Sequence, residues 1–282
     1  DAGALGFADG LPLTNKALLR RLLEYAQPLQ KPIALCPCDP QLAGSGSARE
    51  GADALRLGLA GVSAIAETTA LATLLECIVE VPALVHVMRV STARGVELLR
   101  QAKSRNLPVS ASVAWHHLLF DTTDLSSYSP RLRHDPPQGP TAYRQAKIEG
   151  VVEGVIDAIA IDHSPYTYEE KTVSFDAAPP GAIGLELALP VLWQAFVAHS
   201  TESSGRWSPM QLWQSLSAGP AQCLGLSAGQ LEVGVPAELV LFDPQISWEV
   251  SPSNLKSLAE NTPWLGQTIQ GKVSRVLYGC LY

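Results

Sequence analysis

The segment that most constrains the fold is a short, mostly apolar run at residues 156–161, which ends abruptly in Asp162 and His163 before a proline turn. Such a run is typical of a strand that is buried on both faces, as in a parallel sheet flanked by helices. Ionisable residues at the C-terminal end of such a strand lie where α/β barrels place their chemistry. Asp162 is therefore the first candidate for a catalytic carboxylate. The alternative is that Asp162 caps the following turn, as Asp before Ser-Pro often does.

Similar apolar runs alternate with segments of helical periodicity over the first part of the chain. Four further strands are predicted, at residues 4–10, 32–35, 84–90 and 109–114. Four helices are predicted, at residues 15–26, 63–79, 93–104 and 143–152. Alternation of this kind is typical of parallel α/β architecture.

Polar residues stand at the ends of all five predicted strands. They are Asp9, Cys36, Arg89, His116 and Asp162. Because the C-terminal ends of parallel strands meet at one face of a barrel, we expect these side chains to share one pocket. Five units do not close an eight-stranded barrel. We therefore expect either further units before residue 1 or a partner that completes the fold.

The pattern changes after Asp162. Residues 183–198 have the periodicity of one long helix, and two shorter helices are predicted at residues 208–217 and 220–224. In the first half of the chain, residues 43–61 are rich in Gly and Ser and predict a loop.

Residues 238–243 and 273–281 have the composition of strands and are separated by loops. We therefore divide the chain into a barrel domain at residues 1–230, which lacks its first strands, and a small β-rich appendage at residues 231–282.

Composition and charge exclude several classes of partner. The net charge is −7 at pH 7 and no basic run is present, so nucleic acids and anionic membranes are poor partners. The absence of a signal peptide and of any eighteen-residue apolar run predicts a cytoplasmic protein. The five cysteines are odd in number and scattered, which fits a reducing compartment rather than a disulfide framework.

Several motifs closely resemble those of dihydroorotases. Residues 162–165, Asp-His-Ser-Pro, are similar to the start of the family's Asp-His-Ala-Pro-His, and residues 178–186 are similar to its Ala-Pro-x-Gly-x-x-Gly-Leu-Glu. Residues 90–93, Val-Ser-Thr-Ala, resemble the end of its His-Val-Ser-Thr-Ala. Residues 115–118 and 134–137 resemble its Pro-His-His-Leu and Val-Asn-Pro-Pro. The similarity covers nearly the whole chain and is greatest to cyanobacterial dihydroorotase-like sequences.

The resemblance implies a TIM-type (β/α) barrel of the metal-dependent amidohydrolase superfamily, with a small C-terminal β domain. Enzymes of this family reversibly open the dihydroorotate ring to carbamoyl aspartate, using one or two zinc ions to make hydroxide and to polarise the amide carbonyl. By this resemblance Asp162 would transfer the proton, and it would hold any metal together with Asp9 and Cys36. The implied substrate-binding residues are Asp135, His163, Tyr166, Ala178 and Gly181.

Some positions depart from the family's pattern. By resemblance, Cys36 and Arg89 stand where the family has metal-binding histidines. Asp135 stands where it has a substrate-binding asparagine, and Gly139 where it has an arginine. A guanidinium group has no lone pair to give to a metal, and its fixed charge repels cations. Dihydroorotate is itself an anion, which a carboxylate at its binding site disfavours.

We therefore expect the guanidinium of Arg89 to replace the second zinc and to pair with Asp162 and with Asp9. Two unit charges about 4 Å apart interact by roughly 4 kcal/mol at an effective dielectric constant of about 20. A lone cysteine with one or two carboxylates is a poor metal site, so we expect no cofactor.

The expected protein is dihydroorotase-like but lacks dihydroorotase activity, and it serves a structural or assembly role as a homo-oligomer or with a pyrimidine-pathway partner. One alternative is an active zinc-dependent hydrolase of dihydroorotate or another cyclic amide, with His-x-His supplied from upstream of residue 1 and Asp162 as general base. A further alternative is a module that binds a small ligand without turnover.

Overall fold

The computed structural model of the chain describes residues 3–12, 14–198 and 207–280, without the side chain of the last residue. The strands in these ranges are β1 (Phe7–Asp9), β2 (Ile33–Leu35), β3 (Ala48–Arg49), β4 (Gly61–Val62), β5 (Val85–Val87), β6 (Val109–Ala114), β7 (Ala158–Ala160), β8 (Ala237–Glu249) and β9 (Thr268–Cys280). The α-helices are α1 (Lys16–Ala26), α2 (Pro40–Ala43), α3 (Ala52–Leu57), α4 (Ile65–Glu80), α5 (Ala93–Ser104), α6 (His116–Leu119), α7 (Thr141–Val152), α8 (Tyr168–Lys171), α9 (Ala188–Leu192), α10 (Pro209–Trp213) and α11 (Gly219–Cys223).

The five predicted strands form one parallel sheet, in the order β1, β2, β5, β6, β7. Strand β6 and helix α5 have the bounds that the sequence predicts. Burial alternates along β2 and β5, so one face of these strands is packed in the core and the other is half-buried. The residues of β2 and β5 that are at most 4% exposed are Ile33, Leu35, Val85 and Val87. The predicted parallel α/β architecture is confirmed.

Helix α4 illustrates how the helices cover this sheet. Its apolar residues recur at helical spacing, and Leu71, Leu74, Leu75 and Ile78 are buried in the main core. Removing each such side chain from water contributes about 1.5–3 kcal/mol to folding. The packing of α4 against α1 and α5 fixes the loops that follow the strands.

The prediction of a loop at residues 43–61 is wrong. Strands β3 and β4 pair in parallel there, with α3 between them. This segment contributes to a second, smaller hydrophobic core, which consists of Ala48, Ala54, Leu59, Leu125, Leu132 and Phe175. Burial against the segment around residue 125 overrides the loop-forming composition, since propensity is weaker than tertiary packing.

The long helix predicted at residues 183–198 begins later, at Ala188, and continues from Trp193 to Ala198 as a π-helix. The carboxylate of Glu186 instead accepts hydrogen bonds from the backbone of Lys256 and Ser257, which holds the residues before α9 outside the helix. The two predicted shorter helices form a continuous run, because a π-helical turn at Gln214–Ala218 joins α10 to α11.

The C-terminal part is a two-stranded antiparallel ribbon, in which β8 pairs with β9. Both predicted β-like segments lie in it, except Leu281, which is outside the described residues. The division of the chain at residue 230 stays a prediction. None of the helices in the described ranges combines the length and apolar character of a transmembrane span.

Candidate functional site

The candidate site lies at the C-terminal ends of the parallel strands, where the loops after β5 and β7 carry Arg89 and Asp162. Both residues have left-handed backbone conformations, with φ of 55° at Arg89 and 48° at Asp162. Such angles are uncommon for residues other than glycine and concentrate at functional positions. Two neighbouring backbone hydrogen bonds secure the bend at Arg89, from Met88 to Leu35 on β2 and from Val90 to Ser112 on β6.

The bend directs the Arg89 side chain across the strand ends. Its Nη2 donates to the carbonyl of Gly10, at 3.1 Å, and to Sγ of Cys36, at 3.4 Å. Its Nη1 donates to the carbonyl of Asp135, at 3.2 Å. The guanidinium thus connects the ends of β1 and β2 with the loop that follows α6. Its five N–H groups suit this role, because they donate in fixed directions from one plane.

The expected pairing of Arg89 with carboxylates is wrong in its detail. Among the ion pairs within 4 Å in the described ranges, none joins Arg89 to Asp162 or to Asp9. The Asp9 carboxylate accepts from the backbone of Leu11 instead, at 3.0 Å. A carboxylate so close to its own following backbone forms a local turn more easily than a long-range pair. Arg89 acts on Asp162 only at longer range.

Burial and charge act in opposite directions on Asp162. Its side chain reaches solvent on one side, yet the surrounding protein desolvates the carboxylate and raises its pKa. The nearby Arg89 guanidinium opposes this rise, whereas the Asp135 carboxylate adds to it. The net result is a pKa above the ordinary value of an aspartate.

The guanidinium and the thiols around it are also perturbed. Burial raises the pKa of Cys36, although Arg89 opposes the rise, so the protonated thiol is favoured. Burial similarly raises the pKa of Cys38 to about 11. For Arg89 burial lowers the pKa, but Cys36, Asp162 and Asp135 more than offset it, and its pKa is raised overall. Arg89 is therefore a permanent cation.

The side chains at the strand ends do not fit a zinc centre. Within the described ranges, no three His, Cys, Asp or Glu side chains converge as metal ligands do. Zinc in proteins is held by three or four ligands drawn from Cys thiolates, neutral His imidazoles and Asp or Glu carboxylates, usually in a tetrahedral array. Here the Cys36 sulfur has a guanidinium nitrogen of Arg89 at 3.4 Å. Oδ1 of Asp9 accepts from the backbone of Leu11. The role of Asp9, Cys36 and Asp162 as metal ligands stays a prediction.

Of the predicted substrate-binding residues, His163, Tyr166 and Gly181 lie close to one another, in and against the segment that follows Asp162. A backbone bridge joins His163 to Ala182, and Nδ1 of His163 accepts from the backbone of Gly184, at 3.1 Å. This bond fixes the neutral tautomer that carries its proton on Nε2. Gly181 has φ of 121° and packs against Ser164, so a larger residue is excluded there.

Two further side chains, of Asn261 and Lys171, contact this segment. Asn261, to which sequence reasoning assigned no role, donates to the carbonyl of Ser164, at 2.8 Å, and accepts from the backbone of Tyr166, at 3.1 Å. The ammonium of Lys171 lies 5.1 Å from the Tyr166 ring centroid. Ala178 is buried at 4% exposure, and its role in substrate binding stays a prediction.

A buried charged network behind Arg89 was missed by sequence reasoning. Glu67, at 6% exposure on α4, accepts hydrogen bonds from both the backbone and the hydroxyl groups of Ser91 and Thr92. Arg49 donates to the Ser91 hydroxyl, at 2.7 Å, and Lys147 to the Ser91 carbonyl, at 3.4 Å. The available signal was an acidic residue in an otherwise apolar helix, since a buried charge is rare unless paired.

Three histidines are buried below the site, namely His116, His117 and His134. His117 donates from Nε2 to the carbonyl of Pro136, at 2.9 Å, and His134 donates from Nδ1 to that of Leu132, at 3.0 Å. The other ring nitrogens of both, and Nε2 of His116, have no protein partner. Burial lowers the pKa of all three, that of His134 to about 3, so they are neutral packing groups.

Comparison with known proteins places this site in context. The amidohydrolase family profile matches residues 141–278. A probable dihydroorotase-like protein of Synechocystis sp. is 45% identical over 280 residues, which are 96% of this chain and 61% of that protein. The dihydroorotase of Anaeromyxobacter dehalogenans is 37% identical over 273 residues, which are 96% of this chain and 62% of that protein. The chain thus spans about three fifths of the length of these relatives.

Two hydantoinases are among the solved structures with the same fold. The L-hydantoinase from Arthrobacter aurescens superimposes with a TM-score of 0.82 at 24% identity, over 99% of this chain and 64% of that one. The D-hydantoinase from Thermus sp. superimposes with a TM-score of 0.78 at 20% identity, over 94% of this chain and 59% of that one. These comparisons confirm the barrel fold and the resemblance to dihydroorotases that the sequence motifs indicate.

Proposed function

We propose that the chain forms part of a dihydroorotase-like protein that does not open the dihydroorotate ring. The amidohydrolase profile match and the similarity to dihydroorotases and dihydroorotase-like proteins support the family. In this proposal a guanidinium takes the place of a catalytic metal, and the protein serves a structural or assembly role. One observation supports it above all, which is the contact of Arg89 with the Gly10 carbonyl and the Cys36 sulfur.

The first reason is electrostatic. A divalent cation about 4 Å from a guanidinium is repelled by on the order of 8 kcal/mol at an effective dielectric constant of about 20. Arg89 cannot remove this repulsion by losing its proton, because its pKa is raised. It also cannot swing aside without giving up its bonds to Gly10, Cys36 and Asp135.

The second reason concerns the substrate. Dihydroorotate carries a carboxylate, and the mouth of the site already carries the carboxylates of Asp135 and Asp162. The backbone carbonyl of Asp135 is bound to Arg89, so the residue is held at the site. Two carboxylates near one guanidinium leave a net negative charge on these three side chains, and an anionic substrate is therefore disfavoured.

The test is a ring-opening and ring-closing assay on the full-length protein, run with and without added zinc. The dihydroorotase of Anaeromyxobacter dehalogenans is the positive control. We expect no interconversion of dihydroorotate and carbamoyl aspartate by the full-length protein under either condition. Turnover that depends on Asp162, shown by its loss in Asp162→Asn, would reject the proposal.

The second candidate function is an active cyclic-amide hydrolase, and the raised pKa of Asp162 favours it. In that case Asp162 would act as general base and acid, and the fixed Nε2–H of His163 would donate to the substrate. A neutral cyclic amide fits this site better than dihydroorotate, because it meets no charge repulsion from Asp135. Hydrolysis of such a compound by the full-length protein, absent in Asp162→Asn, would establish this function.

The assembly role includes two further proposals, a homo-oligomer and a pyrimidine-pathway partner in the cytoplasm. The retention of free thiols supports a reducing compartment, since Cys36, Cys38, Cys77 and Cys223 are unpaired. Light scattering on the full-length protein measures its oligomeric state directly. A monomer at micromolar concentration would contradict the homo-oligomer.

A further inference from the structure

We propose that Glu67 is a positioning residue, which fixes the left-handed bend at Arg89 and thereby the guanidinium at Cys36. The inference rests on the proposed role of Arg89 as the group that occupies the site. Glu67 lies on α4, and its carboxylate hydrogen bonds go to Ser91 and Thr92, so it acts on Arg89 through the two residues that follow Val90.

The Glu67 carboxylate accepts four hydrogen bonds from two consecutive residues. Oε2 of Glu67 accepts from the backbone and the hydroxyl of Ser91, and Oε1 accepts from the backbone and the hydroxyl of Thr92. The two backbone bonds are each 3.0 Å long. Every one of these groups is buried, because Ser91 and Thr92 are 0% exposed. Hydrogen bonds to a charged acceptor in such surroundings are strong and directional.

These bonds constrain the chain immediately after Arg89. Thr92 is also the N-cap of α5, because its hydroxyl oxygen accepts from the backbone of Gly95 at 2.9 Å. Helix α5 therefore starts at a point set by Glu67. The bend at Arg89 is bounded on its other side by the bond from Met88 to β2. With both flanks fixed, the direction of the Arg89 side chain is fixed as well.

Two features of the surroundings indicate that the carboxylate is specifically accommodated. A Cβ at Gly95 would lie 2.5 Å from Oε1 of Glu67, so glycine is required there to let the carboxylate approach. Arg49 and Lys147 then contribute positive charge from β3 and α7, both on Ser91. Residues of α4, β3, α7 and α5 thus all form hydrogen bonds with Ser91 or Thr92. A helix cap alone requires far fewer contacts.

The test measures how fast phenylglyoxal, a reagent for guanidinium groups, modifies Arg89 in the full-length protein, with the exposed Arg20 as internal reference. Glu67→Gln keeps the shape but turns a donor toward the backbone N–H groups, and we expect it to speed modification of Arg89 severalfold. Glu76→Gln, on the exposed side of the same helix, is the matched control and should leave the rate unchanged. Reaction is run well below the melting temperature of each variant.

A second variant guards against a folding failure of Glu67→Gln. Thr92→Val removes only one hydroxyl from the network and should produce a smaller increase in the same direction. Loss of thermal stability with an unchanged Arg89 modification rate, in either variant that folds, would overturn the inference and leave Glu67 a structural residue. The outcome is independent of the ring-opening assay, because turnover would refute the proposed function without changing the rate at which Arg89 is modified.

Discussion

Acidification should destabilise the protein through His134, and the structure supplies the magnitude. His134 is 5% exposed, and burial lowers its pKa to about 3, with nearby Lys171 and Arg133 adding to the effect. The unfolded chain carries an ordinary histidine with a pKa of about 6.5. Between these two values the unfolded state binds the proton and the folded state does not, so stability falls as the pH falls below about 6.5.

The loss amounts to about 1.4 kcal/mol for each pH unit, and to about 2.7 kcal/mol at pH 4.5 from this one residue. This loss is a large fraction of the free energy of unfolding of a typical protein, which is about 5–15 kcal/mol. The assay is urea unfolding followed by tryptophan fluorescence between pH 7 and pH 4.5. His134→Leu has nearly the same volume but cannot titrate, so its free energy of unfolding should depend less on pH.

The quantity to compare is the slope of the unfolding free energy against pH, not its absolute value. His134→Leu also loses the bond to the Leu132 carbonyl, and this loss is the same at every pH. Carboxylates that titrate in the same range are common to both proteins and cancel. Equal slopes for His134→Leu and the parent would refute the reasoning, since the proton would then not be excluded from the folded ring.

Two further substitutions test the buried network. Lys147→Met should raise the free energy of unfolding at pH 7 by about 1–3 kcal/mol, measured as a higher urea midpoint. The reason is that Lys147 is 0% exposed and burial lowers its pKa to about 7. A lower midpoint would mean that Glu67 needs the charge of Lys147. Gly95→Ala should cost about 1–3 kcal/mol by overpacking against Glu67, although alanine normally favours a helix. A neutral or stabilising result would show that the carboxylate can retreat without loss.

Much of this arrangement could be predicted from local pattern. The apolar runs predicted the five parallel strands and the face at which their C-terminal ends meet, because a buried parallel strand has a distinctive composition. The charged residues Arg89 and Asp162 at two strand ends also indicated the position of the candidate site. Local pattern succeeded here because each strand end is determined by the strand that precedes it.

Other features depend on contacts between distant segments, and these could not be predicted. The hydrogen bonds of Glu67 join α4 to residues 91–92, and nothing in either segment alone specifies the other. The partner of Arg89 was expected to be a carboxylate, but the guanidinium reaches two backbone carbonyls and a sulfur instead. Backbone acceptors carry no sequence signal, since every residue has one.

The pairing of β3 with β4 shows the same limit. Their residues are few, and the Gly and Ser around them predict a loop. Only the small core beneath residues 48–59 makes the segment regular, and that core includes Phe175 from far along the chain.

The most direct test of the central claim is the zinc content of the purified full-length protein after dialysis against zinc and removal of excess metal. We predict that it contains well under one zinc per chain, and that Arg89→Ala does not lose metal relative to the parent. One tightly held zinc per chain that is released by Asp162→Ala would contradict the claim, because it would place a metal where the guanidinium of Arg89 is held.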